Sequence, residues 1–345
     1  MPEKYRPYHH SLTVVIPHYN RARMLRRALI SVASQSFLPS QVIVIDDGST
    51  DENIKKVLEV CTEMAGIINI KLLRNDRNNG ANYCRNVGIN SSESEYISFL
   101  DSDDFWFPQK ISRQMQEIFV HEQGDVRPIL SFTGRYRIDG DGKIIARQFG
   151  GRSIDTKSLK ESNFIGPLSS VVIDTKLARQ IGGFDEALRA CQDWEFFIRA
   201  SEYAQLVGVP DPLCVYVDHD GDRISDGHKD RLMAILYIYA KHGRQNKTYR
   251  SAFFRAFAEE YQELGRFDRA KKLYSASLSS TEISGLGETF SRSMRVLRHT
   301  LTGGSLKELR YARYRRGFRN AMRDPHFKAE VKEHERHIQS IIRCG

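Results

Sequence analysis

Asp101, Asp103 and Asp104 stand directly after one apolar run, residues 96–100, and Asp46 and Asp47 directly after another, residues 42–45. A carboxylate at the end of a buried strand is fixed through its backbone and open at its side chain. Such a group can hold a hard cation, accept from a ring N–H or take a proton. His18, Tyr19 and Asn20 follow a third run, residues 12–16, and add an aromatic face to the set. A pocket this acidic repels a bare phosphate. A divalent cation takes carboxylate and phosphate oxygens together, so a metal-bridged diphosphate is the ligand these residues suggest. No GxGxxG follows the first run and no GxxxxGK[ST] occurs anywhere, which removes support for a dinucleotide fold or a P-loop.

The segments that carry these residues alternate. Residues 12–16 are rich in β-branched side chains and end at Pro17, and from Met24 the residues Leu25, Ala28, Leu29, Val32 and Ala33 recur at helical spacing. Residues 42–45 lead into DDGST, whose Ser49, Thr50 or Asp51 can cap a helix through Val57 and Leu58. A third strand is expected over residues 67–73, before the loop NDRNNG and a helix from Ala81, and a fourth over residues 96–100. Continuously apolar strands alternating with helices predict an α/β fold, a mostly parallel sheet covered on both faces. In such a sheet ligands bind beyond the carboxyl ends of the strands, where the acidic residues lie.

With 345 residues the chain has room for two domains of about 150. Its 40% hydrophobic and 28% charged residues exclude a disordered or low-complexity polymer. No run of about 18 apolar residues occurs and the N-terminal residues lack an apolar signal core, so the expectation is a chain that neither spans a membrane nor is exported. Five cysteines, at 61, 84, 191, 214 and 344, without a CxxC pair, argue against a disulfide framework or zinc knuckle and for a reducing, cytoplasmic setting. The net charge of +9 is uneven: residues 1–240 hold 29 Lys/Arg against 32 Asp/Glu, residues 241–345 hold 23 against 11. A basic tail on a slightly acidic body suits an anionic partner, membrane surface or nucleic acid, with a solvated helical surface as the plain alternative.

Five segments in order, VVIPHYNRARMLRRALISVASQSF, VIVIDDGSTD, NNGANYCRNVGI, YISFLDSDD and GGFDEALRACQDWEFFIRAS, resemble the landmarks of the family 2 glycosyltransferases over roughly residues 11–220. The resemblance implies a GT-A type, Rossmann-like sheet and an inverting transfer of a sugar from a nucleotide diphosphate, most often UDP, to an acceptor hydroxyl. It places Pro17 and Tyr19 beside the base, Asp47 on the base's polar edge and Arg85 near the nucleotide. Asp101-Ser102-Asp103 fits the DxD motif: Asp103 would bind Mn²⁺ or Mg²⁺, and Asp101 would face the ribose or metal-bound water. For Asp46 and Asp47, capping of a helix N-terminus is the simpler reading and can hold alongside. The general base is expected at Asp193 of QDWE, where the family usually shows Glu-Asp and Gln192 stands in place of the Glu. Glu195 is the competing candidate, and residues two apart on a helix do not share a face. Trp194 is either core or a stacking surface for the acceptor. His219 lies where members of this fold carry a histidine that can complete the metal shell, among Asp218, Asp220 and Asp222. His9, His10, His334 and His337 read as surface.

From Asp230 onward helical patterns dominate, giving a division into residues 1–230, the GT-A domain, and 231–345, a basic, mainly helical region. Residues 256–278 resemble one tetratricopeptide unit, expected to form a helical hairpin on the catalytic domain. Tyr311, Tyr314, Phe318, Ala321 and Met322 follow helical spacing among Arg310, Arg313, Arg315, Arg316, Arg319 and Arg323. That stripe suits an interfacial helix on anionic lipid, with packing against the body as the alternative. The implied partners are a nucleotide-sugar donor, a glycan or lipid-linked acceptor in cell-surface polysaccharide synthesis, and the inner face of the membrane; nucleic acid is not expected. ISFLDSDD also resembles the nucleophile motif of haloacid-dehalogenase phosphatases, but Phe105 stands where that family expects Thr or Val, and the upstream motifs go unexplained. A degenerate, non-catalytic GT-A domain with a binding tail needs loss of the metal or base carboxylates, and all are present. Sugar-phosphate nucleotidyltransferases begin with a Gly-rich loop absent from this chain.

Overall fold

The first hundred residues form β1 (Leu12–His18), α1 (Ala22–Ala33), β2 (Gln41–Asp46), α2 (Asp51–Met64), β3 (Ile70–Arg74), α3 (Ala81–Ser91) and β4 (Tyr96–Phe99). The computed structural model describes residues 10–151, 159, 162–218, 227–243, 247–279, 318 and 321–344. β1 pairs in parallel with β2 and with β4, and β2 with β3. The chain thus moves outward from β1 to β3 and returns at β4 to the other side of β1. Such a reversal leaves a crevice at the carboxyl ends of β1 and β4. Pairing of β1 with β4 ends at Val15 and Phe99. Pro17 lies past that point, where its missing N–H breaks no bond to β4. The third strand starts later than residue 67, because the N–H groups of Ile67 and Ile68 bond to the Met64 carbonyl and close the end of α2.

The sheet is completed by β5 (Phe105–Trp106), β6 (Ile129–Ile138), β7 (Ile144–Gln148), β8 (Val171–Asp174) and β9 (Gln205–Val217), with α4 (Lys110–Glu122), α5 (Thr175–Gln180) and α6 (Gln192–Ala200) between them. Strand order is β3-β2-β1-β4-β8-β6-β9-β5, with β7 beside β6. β8 is antiparallel to β4 and β6, β9 is parallel to β6, and β5 and β7 are antiparallel to their neighbours. So β1, β2, β3, β4, β6 and β9 run one way; the expected parallel pairing holds over β1 to β4 and between β6 and β9, and the whole sheet is mixed, with four parallel and four antiparallel pairings. Alternation divides its side chains: Leu12, Val14, Ile16, Val42 and Val44 share a core with α1, α2 and α4, while Val15, Ile43, Ile45, Ile97 and Phe99 share one with α3, α5 and α6.

Beyond the sheet lie α7 (His228–Ile238), a π-helical turn (Tyr239–Gly243), α8 (Lys247–Glu263), α9 (Phe267–Ser279) and α10 (Pro325–Cys344). The tetratricopeptide-like stretch is the α8–α9 hairpin, closed by Ala258, Ala270 and Tyr274. Phe253 of α8 and Ile235 and Ile238 of α7 pack on Trp194 and Ile198 of α6, which joins the hairpin to the body. On α10, Val331, His334, Ile338 and Ile341 recur every three or four residues, and this stripe lies on Phe105, Phe107, Tyr136, Ile144 and Val215.

That packing corrects two surface assignments. His334 Nδ1 sits 2.9 Å from the Tyr136 hydroxyl, and His337 stacks on Phe107 with ring centroids 5.4 Å apart. His10 is also engaged, its ring nitrogens lying 3.1 Å from Glu95 and 2.8 Å from Glu122; His9 lies outside the described residues. Phe318 and Met322 pack on the α10 cluster, so these two members of the aromatic stripe face protein, and Tyr311 and Tyr314 lie outside the described residues. No helix among the described residues is long and apolar enough to cross a membrane.

Candidate active site

The carboxyl ends of β1 and β2 are tied together by the turn between them. Asn20 adopts a left-handed conformation (φ 51°), donates its N–H to Ser49 Oγ at 2.8 Å and accepts the Thr50 N–H at 3.0 Å. Beside this knot Tyr19 is 45% exposed, so its ring is accessible to a flat ligand, and Pro17 is half-buried. Gly48 is required where it stands, since a Cβ there would meet the Arg77 backbone at 2.6 Å. The contact brings the DDGS turn against the loop before α3.

The adjacent acidic pair divides its work. Asp47 accepts from Asn75 Nδ2 (2.8 Å), the Asn79 N–H (3.0 Å) and the Gly80 N–H (2.7 Å), so it fastens the loop that leads into α3. Three of the roughly four lone-pair positions of a carboxylate are thereby filled, which leaves little acceptor capacity for a base edge. Asp46 is buried, accepts the Ser49 N–H at 3.2 Å and lies 3.6 Å from Arg74 Nε. Beside it His18 is also buried, and burial lowers its pKa to about 4 against the pull of Asp46, so its ring is neutral at physiological pH. Neither ring nitrogen of His18 and not Asp46 Oδ1 has a hydrogen-bond partner among the described residues.

After β4 the chain turns sharply, the Asp104 N–H bonding to the Asp101 carbonyl. Arg85, buried on α3, donates to Asp101 Oδ1 at 2.6 Å and to Asn82 Oδ1 at 3.2 Å, and the Asp101 N–H donates to Ser169 Oγ. Asp103 Oδ2 lies 3.1 Å from Arg21 Nη1 at the start of α1. Ser102 is buried in the turn. Asp104 is enclosed, accepts from Ser169 Oγ at 2.6 Å and from the Val217 N–H, and burial, with Asp103 and Asp101 nearby, pushes its carboxyl well above the usual range. Asp104 therefore braces the turn, while the side chains of Asp101 and Asp103 remain 33% and 24% exposed.

Two partly open carboxylates suit a hard cation, because Mg²⁺ and its like are held by one or two carboxylates together with phosphate and water oxygens. No group of three His, Cys, Asp or Glu that could hold a metal occurs among the described residues. His219 lies outside them, as do Asp220 and Asp222; Asp218 forms an ion pair with Arg137.

On α6 the two candidate bases have opposite surroundings. Asp193 Oδ2 accepts from Asn163 Nδ2 at 2.8 Å and Oδ1 from the Trp194 N–H. Burial raises its pKa, with Asp101 adding to the rise and Arg85 and Arg231 opposing it. Glu195 is completely buried: Arg199 grips it at 2.6–3.0 Å, Lys241 stands at 3.0 Å and His242 at 3.1 Å. Burial opposes its charge, yet the His242, Arg199 and Lys241 donors outweigh burial and hold the carboxyl far below the usual range. Trp194 is core, donating to the Leu159 carbonyl at 2.7 Å and stacking on Phe253, and Gln192 donates to the Arg189 carbonyl. Arg21, Asn75, Asn163 and Ser169 were not marked by any local pattern, because each meets its partner only through the fold.

Residues 13–169 match Glycosyl transferase family 2. An uncharacterized glycosyltransferase of Haemophilus influenzae is 27% identical over 189 residues, 54% of this chain and 61% of the relative. Escherichia coli WfgD, named a UDP-Glc:alpha-D-GlcNAc-diphosphoundecaprenol beta-1,3-glucosyltransferase, is 29% identical over 167 residues, 48% of this chain. The chain spans about three-fifths of the length of either relative (61%). Among solved structures, S. aureus TarS 1–349 in complex with UDP-GlcNAc superposes with a TM-score of 0.59 at 16% identity, covering 85% of this chain and 92% of that one. The Pyrobaculum calidifontis mannosyltransferase PcManGT, in complex with GDP-Man and Mn²⁺, gives 0.53 at 14% identity over 98% of this chain and 86% of that one. These likenesses share the fold and exclude the dehalogenase-like reading of ISFLDSDD. The chain has a GT-A-type fold, and over residues 13–169 it is similar to the family 2 glycosyltransferases.

Proposed function

We propose that this glycosyltransferase moves a sugar from a UDP-sugar to a hydroxyl of a glycan or lipid-linked acceptor in cell-surface polysaccharide synthesis, inverting the anomeric carbon in one displacement. The observation that carries the reading is the pairing of Asp193, a carboxylate with raised proton affinity, with the open Asp101 and Asp103 carboxylates, Asp101 being near enough to act on its charge. Tyr19 offers its face to the base and Asp47 at most one remaining lone pair. Asp103 and Asp101 would hold Mn²⁺ or Mg²⁺, with Arg21 giving up its ion pair as the cation enters. Bound there, the cation would offset the charge gathered by the departing diphosphate. Asp193 takes the acceptor hydroxyl's proton as the new bond forms. Withdrawal of Glu195 into its ion-pair cluster leaves α6 one available carboxylate, which suits a single displacement better than a covalent sugar intermediate.

The name of the E. coli relative makes UDP-glucose and a lipid diphosphate the first donor and acceptor to try, and that of PcManGT makes GDP-mannose the rival. The test is a thermal-shift screen of nucleotide sugars with and without Mn²⁺. A UDP-sugar at a hundred times its Kd should add about 2.7 kcal/mol of stability. Preferential stabilisation by GDP-mannose would correct the donor, and a product retaining the donor's configuration would exclude single displacement. We further place the chain in the cytoplasm, peripheral on anionic lipid through its basic last third. Flotation with phosphatidylserine vesicles at low salt should carry the full-length protein, and lose it as salt rises; indifference to the vesicles makes the tail scaffold alone.

A further inference from the structure

We infer that Asn163 is the positioning residue of Asp193, fixing the carboxylate's direction and its readiness to take a proton. The inference rests on Asp193 being the general base. Asn163 makes three hydrogen bonds that together leave its amide one orientation. Its Oδ1 accepts the Gly166 N–H at 2.9 Å, and its Nδ2 donates both to the Gly166 carbonyl at 3.1 Å and to Asp193 Oδ2 at 2.8 Å. Turned over, the amide would set its NH₂ against the Gly166 N–H, so the group meeting Asp193 is a donor.

The turn that sets this amide is itself fixed. Gly166 has φ 103°, and a Cβ there would meet Arg135 Nη1 at 1.3 Å, while Arg135 donates to the Ile165 carbonyl. Three residues past Gly166, the same segment reaches the other half of the site, where Ser169 Oγ accepts the Asp101 N–H and donates to Asp104, and the Ser169 carbonyl accepts from Trp106 Nε1 at 2.6 Å. Residues 163–170 are thus a strut with the base at one end and the DxD turn at the other. It keeps proton acceptor and donor site in one register.

The charged groups that act on Asp193 are Arg85 of α3, Asp101 after β4 and Arg231 of α7. Asn163 adds a neutral donor at 2.8 Å, which favours the ionised carboxylate. Removing it leaves burial and Asp101 less opposed, so the proton affinity of Asp193 rises and the acid limb of activity moves to higher pH.

The experiment follows the Asp193 carboxyl by ¹³C NMR in aspartate-labelled protein without metal, using Asp193→Asn to assign the resonance, beside the pH profile of UDP-glucose hydrolysis in Mn²⁺. In Asn163→Ala the titration midpoint should rise by about one pH unit, and on the acid limb, below the wild-type midpoint, kcat at a given pH should fall about tenfold with KM unchanged. That fall should vanish in the Asp193→Asn background. Asn163→Asp keeps the acceptor for Gly166 but sets a second carboxylate against Asp193, so the limb should move higher still, because two carboxylates at hydrogen-bond distance do not both ionise. An unmoved Asp193 midpoint in folded Asn163→Ala or Asn163→Asp overturns the inference. Wild-type hydrolysis by Asp193→Asn overturns the base assignment alone, because the NMR shift does not depend on turnover.

Discussion

The sheet presents ionisable groups at two places and treats them in opposite ways. Beyond β1 and β4, Asp101 pairs with Arg85 and Asp103 with Arg21, and both keep oxygens toward solvent. Under α10, His334 and His337 are partly buried against Phe107 and Tyr136, and that burial lowers the proton affinity of both. α6 repeats the contrast within one turn, with Asp193 held by one side chain and Glu195 gripped by three. Access separates the group that can react from the group that only holds, since a carboxylate with every lone pair filled has nothing left for a substrate.

The sharpest break of this contrast is Asp103→Ala. It removes the open carboxylate best placed for a cation, so turnover should be abolished and Mn²⁺ should no longer strengthen UDP binding in a calorimetric titration. Full wild-type activity in excess chelator would end the metal proposal. Next in size, Asp193→Asn keeps the shape and loses the acceptor, which should lower turnover about a hundredfold or more while UDP binding stays near normal. Glu195→Gln should act on folding instead, because breaking a buried ion pair costs about 3–5 kcal/mol, read as a lower midpoint in urea. A stable, inactive Glu195→Gln beside an active Asp193→Asn would exchange the two roles.

The parts legible in the sequence are those whose partners are near along the chain or alternate regularly. β1 to β4 and the carboxylates at their ends follow from apolar runs and the turns that stop them. That Asp193 and Glu195 cannot share a face follows from helix geometry alone. Which of them is available does not, because Lys241 and His242 arrive from the π-helical turn after α7. Trp194 could be assigned to core only once Phe253 of α8 stacked on it. The spacing marks Asp47 as a base contact or a helix cap, whereas it fastens the NDRNNG loop, which folds back over it. Asn163 and Ser169 carry no local pattern because their partners are brought by strand order, not by spacing.

The smallest expected effect probes the closed region. His334 and His337 titrate lower in the folded chain, for both chiefly because of burial. Arg147 adds to the shift of His334 and Glu330 opposes it, and His334 itself lowers His337. A histidine depressed on folding takes up its proton more readily when unfolded. Its contribution is therefore fully present above about pH 6.5 and lost as pH falls through the folded value. Urea unfolding of the wild type should show a decline below pH 6.5 that is shallower in His334→Gln/His337→Phe, where glutamine can still accept from Tyr136 and phenylalanine can still stack on Phe107. At pH 8 the two proteins should agree within about 0.5 kcal/mol. Parallel decline of both would mean that α10 is not titrated through this pair, and that the closed end of the sheet is no more acid-sensitive than the open one.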